Sequence, residues 1–180
     1  MSTPIFLIGP MASGKSAIGA ILARLLGSTL VDTDARVIAA HGPIPDIFAA
    51  HGEAGFRRFE TQALADAVRP ARRGDGAAEG AAPAVVATGG GAVLSAQNRA
   101  VIATGFSVYL LTDAATVAPR IGADLTRPLL GDSPLESWIR IFAQRRGLYE
   151  ATASMCIDTR GRTTEEIAES ILTAYRDAGH

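Results

Sequence analysis

The stretch that decides the fold is Gly9-Pro10-Met11-Ala12-Ser13-Gly14-Lys15-Ser16, near the start of a 180-residue chain. It has the form G-x-x-x-x-G-K-[ST], in which backbone N–H groups surround phosphate oxygens, the lysine neutralises them and the hydroxyl binds Mg²⁺. The chain has 17 basic residues, and Lys15 is the only lysine among them. A compact ammonium can follow a phosphate, which a planar guanidinium does less well. The motif predicts a site for a nucleoside triphosphate; the alternative is a glycine-rich turn without a ligand.

The sequence on either side of this motif supplies the context that a phosphate-binding loop needs. Residues 4–8 (PIFLI) form a short apolar run bounded by turn residues, which predicts a buried strand. From Ser16 to Leu26 the apolar residues recur at helical spacing, and Gly27 ends the pattern. The chain therefore begins with strand, loop and helix.

Strand and helix patterns continue to alternate along the chain, which predicts the α/β class with a parallel sheet covered on both faces. A second strand ends at Asp32, and later strands are expected at 85–88, 106–111 and 155–157. Helices are expected at 34–41, 46–51, 55–68, 97–102, 114–121 and 135–149, and a capping box at 163–166 opens a terminal helix. Trp138 is interpreted as a core residue.

Composition limits the function classes. The length suits one domain over residues 1–180, and the net charge of −1 gives no reason to expect nucleic-acid or membrane binding. No apolar run reaches the ~20 residues of a membrane-spanning helix, and the strand at residue 4 leaves no room for a signal peptide. Cys156 is the only cysteine, which excludes an internal disulfide and suits a reducing compartment. We expect a soluble, cytoplasmic, monomeric protein.

Residues 69–84, rich in Gly, Ala and Pro, are expected to form a mobile surface loop.

Two aspartates stand where the second strand ends, at the sheet edge where ligands bind in α/β folds. If Asp32-Thr33-Asp34 stays extended, both carboxylates face the same side. One could hold Mg²⁺ through water, and the other could orient or deprotonate an attacking hydroxyl. The alternative is a helix-capping aspartate beside a solvated one.

A second candidate site feature is Gly89-Gly90-Gly91, which follows the strand at 85–88. Three glycines allow backbone N–H groups to approach a ligand closely, although a flexible turn would look the same. Five arginines lie in or near segments that could close on this site, and convergent guanidiniums would favour a carboxylate-bearing acceptor. Any one of them could instead be a surface arginine. They are Arg57, Arg58, Arg127, Arg145 and Arg146.

Taken together, six segments resemble the shikimate kinase family, and the resemblance runs from about residue 4 to 175. They are GPMASGKSAIG (9–19), VDTD (31–34), IFAAHGEAGFRRFE (47–60), TGGGAV (88–93), RPLL (127–130) and RRGLY (145–149). The resemblance implies transfer of the ATP γ-phosphoryl group to the 3-hydroxyl of shikimate, in chorismate and aromatic amino-acid synthesis. It also implies a fold similar to nucleoside monophosphate kinases, with a five-stranded parallel sheet, a substrate-binding subdomain at about 33–62 and a mobile lid at about 120–134.

The resemblance assigns expected roles residue by residue. The catalytic group is Lys15, Asp34 and Arg127, with Asp34 as the base, and Mg²⁺ is assigned to Ser16 and Asp32. ATP binding is assigned to Gly9, Met11, Ala12, Ser13, Gly14, Lys15, Ser16, Ala17, Arg120, Arg127 and Arg162. Shikimate binding is assigned to Asp34, Phe48, Phe56, Arg57, Gly89, Gly90, Gly91 and Arg145. Two departures from the family pattern are the long 69–84 loop and Gly147, where proline is usual.

Two other functions remain to be compared with this one. A gluconate kinase of the same fold would keep the phosphate loop, but the FRR, GGG and RRGLY set argues against it. A non-enzymatic ATP-binding protein would be expected to have lost Asp34 or the clamping arginines, and this chain has both.

Overall fold

A computed structural model describes residues 3–69, 82–121 and 133–180, and within them five strands form one parallel sheet. The strands pair in the order β2-β3-β1-β4-β5. This confirms the predicted α/β class and five-stranded parallel sheet. The strands are β1 (Ile5–Ile8), β2 (Leu30–Asp32), β3 (Val85–Ala87), β4 (Phe106–Leu111) and β5 (Met155–Asp158).

Seven helices connect and flank these strands in the described residues, and all the predicted helices are present. The segments predicted at 46–51 and 55–68 form one element, which bends at Gly52, where φ is 64°. The predicted capping box is confirmed, because Thr163 and Glu166 each bond the backbone of the other. The helices are α1 (Lys15–Leu25), α2 (Thr33–His41), α3 (Ile44–Ala67), α4 (Ala96–Ile102), α5 (Ala114–Ile121), α6 (Pro134–Thr152) and α7 (Thr164–Asp177).

The first strand shows why the sheet is covered on both faces. All four side chains of β1 are fully buried, and successive ones point to opposite faces. Ile5 and Leu7 pack in a cluster that includes residues of α1 and α7. Phe6 and Ile8 pack in a second cluster with residues of α3, α4 and α6. The continuous apolar run at 5–8 is therefore the signature of a central parallel strand.

The strand order also fixes where a ligand can bind. The chain leaves β1 through α1 for β2 on one side, and it leaves β3 through α4 for β4 on the other. The connections therefore diverge between β1 and β3, and the crevice beyond their carboxyl ends is the usual ligand site of such sheets. The phosphate loop follows β1, and the three glycines follow β3.

One local expectation is wrong. The segment Asp32-Thr33-Asp34 does not stay extended, because α2 begins at Thr33. Asp32 is the N-cap of that helix, and its Oδ1 accepts a hydrogen bond from the Ala35 N–H at 3.0 Å. An aspartate stabilises a helix start by satisfying an N–H group that has no partner in the helix. The capping alternative holds for Asp32, but Asp34 lies in the first turn and is partly buried, not fully solvated.

Several expectations lie partly or wholly outside the described residues. These are most of the 69–84 loop, most of the 120–134 lid, the RPLL motif and Arg127. Within the described residues, no helix is long and apolar enough to cross a membrane.

Candidate active site

The phosphate loop joins β1 to α1, and its lysine is folded back onto it. Lys15 is 9% exposed, and its Nζ donates hydrogen bonds to the carbonyls of Gly9 at 3.0 Å and Pro10 at 2.7 Å. The ammonium therefore lies over the loop where phosphate oxygens would bind. Ser13, predicted in the loop, is also buried, with its Oγ 3.4 Å from the Lys15 Nζ.

Two side chains from later helices donate hydrogen bonds to carbonyls of the loop. The Trp138 indole N–H of α6 donates to the Met11 carbonyl at 3.0 Å, and Arg120 Nη1 of α5 donates to the Ala12 carbonyl at 3.0 Å. Arg120 was assigned to ATP on the resemblance, and the structure places it beside the loop. Trp138 is 1% exposed, as predicted for a core residue. No pattern in the sequence indicates its contact with the loop.

The two residues assigned to Mg²⁺ meet at the start of α1. Ser16 Oγ donates to Asp32 Oδ2 at 2.5 Å, and both residues line the same cavity. Hydroxyl and carboxylate oxygens are hard ligands of the kind Mg²⁺ prefers. Among the described residues no group of three or more His, Cys, Asp or Glu side chains could hold a metal by itself. The pair fits an ion that keeps several waters and is bound mainly through substrate phosphates.

The glycine turn after β3 is packed against charged side chains. A Cβ at position 89 would overlap Glu60 Oε1 and Asp34 Oδ1, and a Cβ at position 91 would overlap the Arg57 guanidinium. Glycine at these two positions lets the carboxylates and the guanidinium lie directly against the backbone, and a larger residue would displace them. Asp34, Arg57 and the turn, assigned separately by the resemblance, lie together.

Arg57 is oriented by two carboxylates on its own helix. Nη1 lies 2.9 Å from Glu60 Oε2, while Nη2 and Nε bond Glu53 Oε1 at 3.0 and 3.3 Å. A guanidinium has five N–H donors, so these contacts leave one N–H on each terminal nitrogen for a planar anion. The guanidinium lies 5.3 Å from the centre of the Phe56 ring, which in turn packs on Phe48 with ring centres 5.2 Å apart.

Glu60 belongs to the site although the sequence reading did not assign it a role. Its side chain is 1% exposed, and burial raises the pKa of this carboxyl, with Arg57 opposing the rise and Asp34 adding to it. Burial disfavours a charge, and the guanidiniums of Arg57 and Arg145 only partly compensate. The signal that could have found it is the i,i+3 spacing from Arg57.

Helix α6 supplies the other side of the glycine turn. Arg145 Nη1 donates to the Gly90 carbonyl at 3.2 Å, and the Tyr149 hydroxyl donates to the same oxygen at 2.5 Å. Burial raises the pKa of Tyr149, so its hydroxyl remains a donor. Arg145 is 7% exposed. The next residue along, Arg146, faces away and pairs with Glu150 at 2.8 Å.

A cavity of about 450 Å³ lies at the carboxyl ends of β1, β2 and β3, beside the glycine turn that Arg57 and Arg145 contact. Both aspartates line it, so the helix start at Thr33 still directs Asp32 and Asp34 to one space. Arg162 does not line this cavity, and its Nη2 donates to the Glu166 carbonyl and to Ser170 Oγ of α7. The lining residues are Met11, Ala12, Gly14, Lys15, Ser16, Ala17, Asp32, Asp34, Thr88, Gly90, Arg120 and Thr164.

Comparison with known proteins gives one consistent result. The family model described as shikimate kinase matches residues 11–176. The chain is 40% identical over 176 residues to the shikimate kinase of Streptomyces coelicolor, covering 97% of this chain and 96% of that protein. It is similar to the structure of the Acinetobacter baumannii shikimate kinase in complex with shikimate, with a TM-score of 0.88 and 33% identity, covering 99% and 95% of the two chains. A gluconokinase from Sinorhizobium meliloti shares the fold at a TM-score of 0.63 and 19% identity.

Proposed function

This chain belongs to the shikimate kinase family, and from that premise we propose how its residues transfer the γ-phosphoryl group of ATP to the 3-hydroxyl of shikimate. The products are shikimate 3-phosphate and ADP. The observation that carries the proposal is the arrangement around the glycine turn. Asp34, Arg57 and Arg145 meet there, next to the phosphate loop that holds Lys15. A carboxylate-bearing alcohol placed in this turn lies beside the nucleotide phosphates.

The nucleotide side of the site neutralises and positions phosphate. Backbone N–H groups of the loop and the positive end of α1 hold the phosphates. Lys15 exchanges its bonds to the loop carbonyls for the β- and γ-oxygens, where charge develops during transfer. Arg120 and the lid residue Arg127 are assigned to the same phosphates. Arg162 reaches the adenine only if it leaves its bonds to α7.

Mg²⁺ is the cofactor that the site fits. Ser16 would bind it directly and Asp32 would hold it through water, and the ion would supply charge neutralisation between the phosphates. Asp32 is already oriented for this by its role as helix cap, because one oxygen bonds the Ala35 N–H and the other bonds Ser16.

The acceptor side orients one hydroxyl toward the phosphoryl group. Arg57 and Arg145 clamp the carboxylate of shikimate, and Phe48 and Phe56 pack beside the ring. Asp34 accepts the proton of the attacking hydroxyl, since it lies between the glycine turn and the phosphate loop. Arg145 uses one N–H for the Gly90 carbonyl, which Tyr149 also holds, and its other donors can bind the carboxylate. Positioning and charge neutralisation supply most of the catalysis.

A coupled ADP-release assay tests the proposal. Purified protein with Mg²⁺ and ATP should release ADP in proportion to added shikimate and very little without it. Quinate, gluconate and nucleoside monophosphates are the comparison acceptors. Equal turnover with gluconate would favour the gluconokinase alternative, and no turnover with shikimate would contradict the assignment. Removing Mg²⁺ with EDTA should abolish turnover.

Oligomeric state, cellular location and division into subdomains complete the proposal. We expect the protein to be a monomer in the cytoplasm, with residues 33–62 as the substrate-binding subdomain and about 120–134 as the lid. The exposed thiol of Cys156 suits a reducing compartment. Light scattering after size-exclusion chromatography would test the monomer, and a mass of twice 18.6 kDa would contradict it.

A further inference from the structure

Four consecutive carbonyl groups of the phosphate loop are held by side chains. Residues 9, 10, 11 and 12 each present a backbone oxygen that accepts a hydrogen bond from a side chain. Lys15 serves the first two, Trp138 serves Met11, and Arg120 serves Ala12. A carbonyl oxygen carries partial negative charge, so a loop that binds phosphate through N–H groups must turn its carbonyls away from the ligand. The donors that hold these carbonyls therefore determine the shape of the site.

Of these donors, only the indole has no proposed contact with the nucleotide. Lys15 and Arg120 are cations that line the cavity, and both are attracted to bound phosphate. The Trp138 N–H is neutral, and indole offers a single donor and no acceptor. Its ring is 1% exposed and stacks on Phe142, with ring centres 4.9 Å apart. Trp138 can thus keep its bond to Met11 while the cations move to the nucleotide.

The packing around the indole fixes its position. Trp138 is buried with Val117 and Ile121 of α5, and Met11 and Ala12 pack against the same cluster. The loop therefore packs on an apolar cluster, and the indole in that cluster donates its N–H to the Met11 carbonyl. A leucine or phenylalanine at position 138 would supply apolar contact without that hydrogen bond.

We infer that Trp138 is a positioning residue for nucleotide binding, which acts by holding the Met11 carbonyl out of the phosphate cavity. The inference rests on the proposed use of ATP but not on the identity of the acceptor. Its prediction is specific to the nucleotide: loss of the indole N–H weakens ATP and ADP binding and leaves shikimate binding unchanged.

The test compares two substitutions in one helix and one cluster. Trp138→Phe keeps an aromatic ring and removes the N–H, while Phe142→Leu removes apolar contact and leaves every loop hydrogen bond in place. Calorimetry with Mg²⁺-ADP, without acceptor, should give a Kd raised about 3- to 10-fold for Trp138→Phe, as expected for one net hydrogen bond. The Kd of Phe142→Leu should match that of the unaltered protein, and the shikimate KM should be normal in both.

A measurement on the unaltered protein tests the inference even where the variants fold poorly. The chain has one tryptophan, so its indole ¹H–¹⁵N NMR signal needs no assignment. Mg²⁺-ADP should shift that signal, and shikimate alone should not. An unshifted signal, normal ADP binding by Trp138→Phe, or equal weakening by Phe142→Leu would each overturn the inference. If ADP binding behaves as expected but shikimate accepts no phosphate, the proposed function fails and the role of Trp138 stands.

Discussion

Replacing Arg57 with lysine tests the carboxylate clamp, because lysine keeps the positive charge and loses the planar fork. Three of the five N–H donors of Arg57 bond Glu53 and Glu60, so one remains on each terminal nitrogen. Those two donors can bind both oxygens of one carboxylate. A lysine ammonium has three donors, and if it keeps a bond to each of Glu53 and Glu60, one remains for the acceptor. The substitution therefore removes about one charge-assisted hydrogen bond to shikimate.

A bond of this kind contributes about 1.5–3 kcal/mol, which corresponds to a rise in the shikimate KM of about 10- to 150-fold. The ATP KM should stay close to normal, because Arg57 contacts the glycine turn and not the phosphate loop. The measurement is steady-state ADP release with each substrate varied in turn. Unfolding by heat should be recorded for each variant, so that a loss of folded protein is not read as a loss of binding.

Arg58 provides the matched control, since it is the next residue of the same helix and its side chain is exposed. Arg58→Lys makes the same chemical change at a position about 100° around the helix, and it should leave both KM values unchanged. If Arg58→Lys raises the shikimate KM as much as Arg57→Lys does, the effect does not arise from the clamp. If Arg57→Lys raises only the ATP KM, Arg57 does not bind the acceptor and the carboxylate clamp is wrongly assigned.

Three further substitutions separate the remaining roles. Lys15→Met should lower turnover roughly 10²–10⁴-fold with the fold intact by circular dichroism, because transition-state charge neutralisation is lost; near-normal turnover would refute the role. Asp34→Asn should lower turnover by a similar, roughly 10²–10⁴-fold factor and leave ATP affinity unchanged; a collapse of ATP binding would instead make Asp32 the better base. Burial raises the pKa of Glu60, so the folded protein favours the protonated carboxyl. The ionised carboxylate therefore lowers the free energy of unfolding above the folded-state pKa, and this loss disappears below the ordinary glutamate pKa. Glu60→Gln should therefore raise the melting temperature at pH 8, and the gain should shrink as the pH falls toward 4; a gain independent of pH would contradict this.

The elements of the fold could be predicted because their signals are local. The strand at 106–111 and the capping box at 163–166 were both predicted where they occur. Apolar periodicity and capping side chains act within a few residues of backbone, so the sequence alone displays them. The phosphate loop is similar, since its function is carried by backbone N–H groups and two consecutive side chains.

The local signal failed at Asp32, where two local preferences compete. Strand pairing with β3 continues to Asp32, yet the same residue caps α2. The sequence contained both possibilities, and the extended one was the wrong choice. Both carboxylates nevertheless face one space, as expected, because Asp32 and Asp34 both line the cavity.

The sequence alone determined the phosphate loop, the parallel α/β sheet and the set of residue types that the site needs. The family resemblance assigned Arg57 and Arg145 to the acceptor, but only the tertiary structure shows that these two face the glycine turn while Arg58 and Arg146 do not. The physical reason is that neighbouring residues on a helix point about 100° apart, and the face that turns inward is set by packing against distant segments. The buried Glu60 and the indole of Trp138 belong to the site for the same reason, since each acts on backbone that lies far along the chain and is brought close only by the folded sheet.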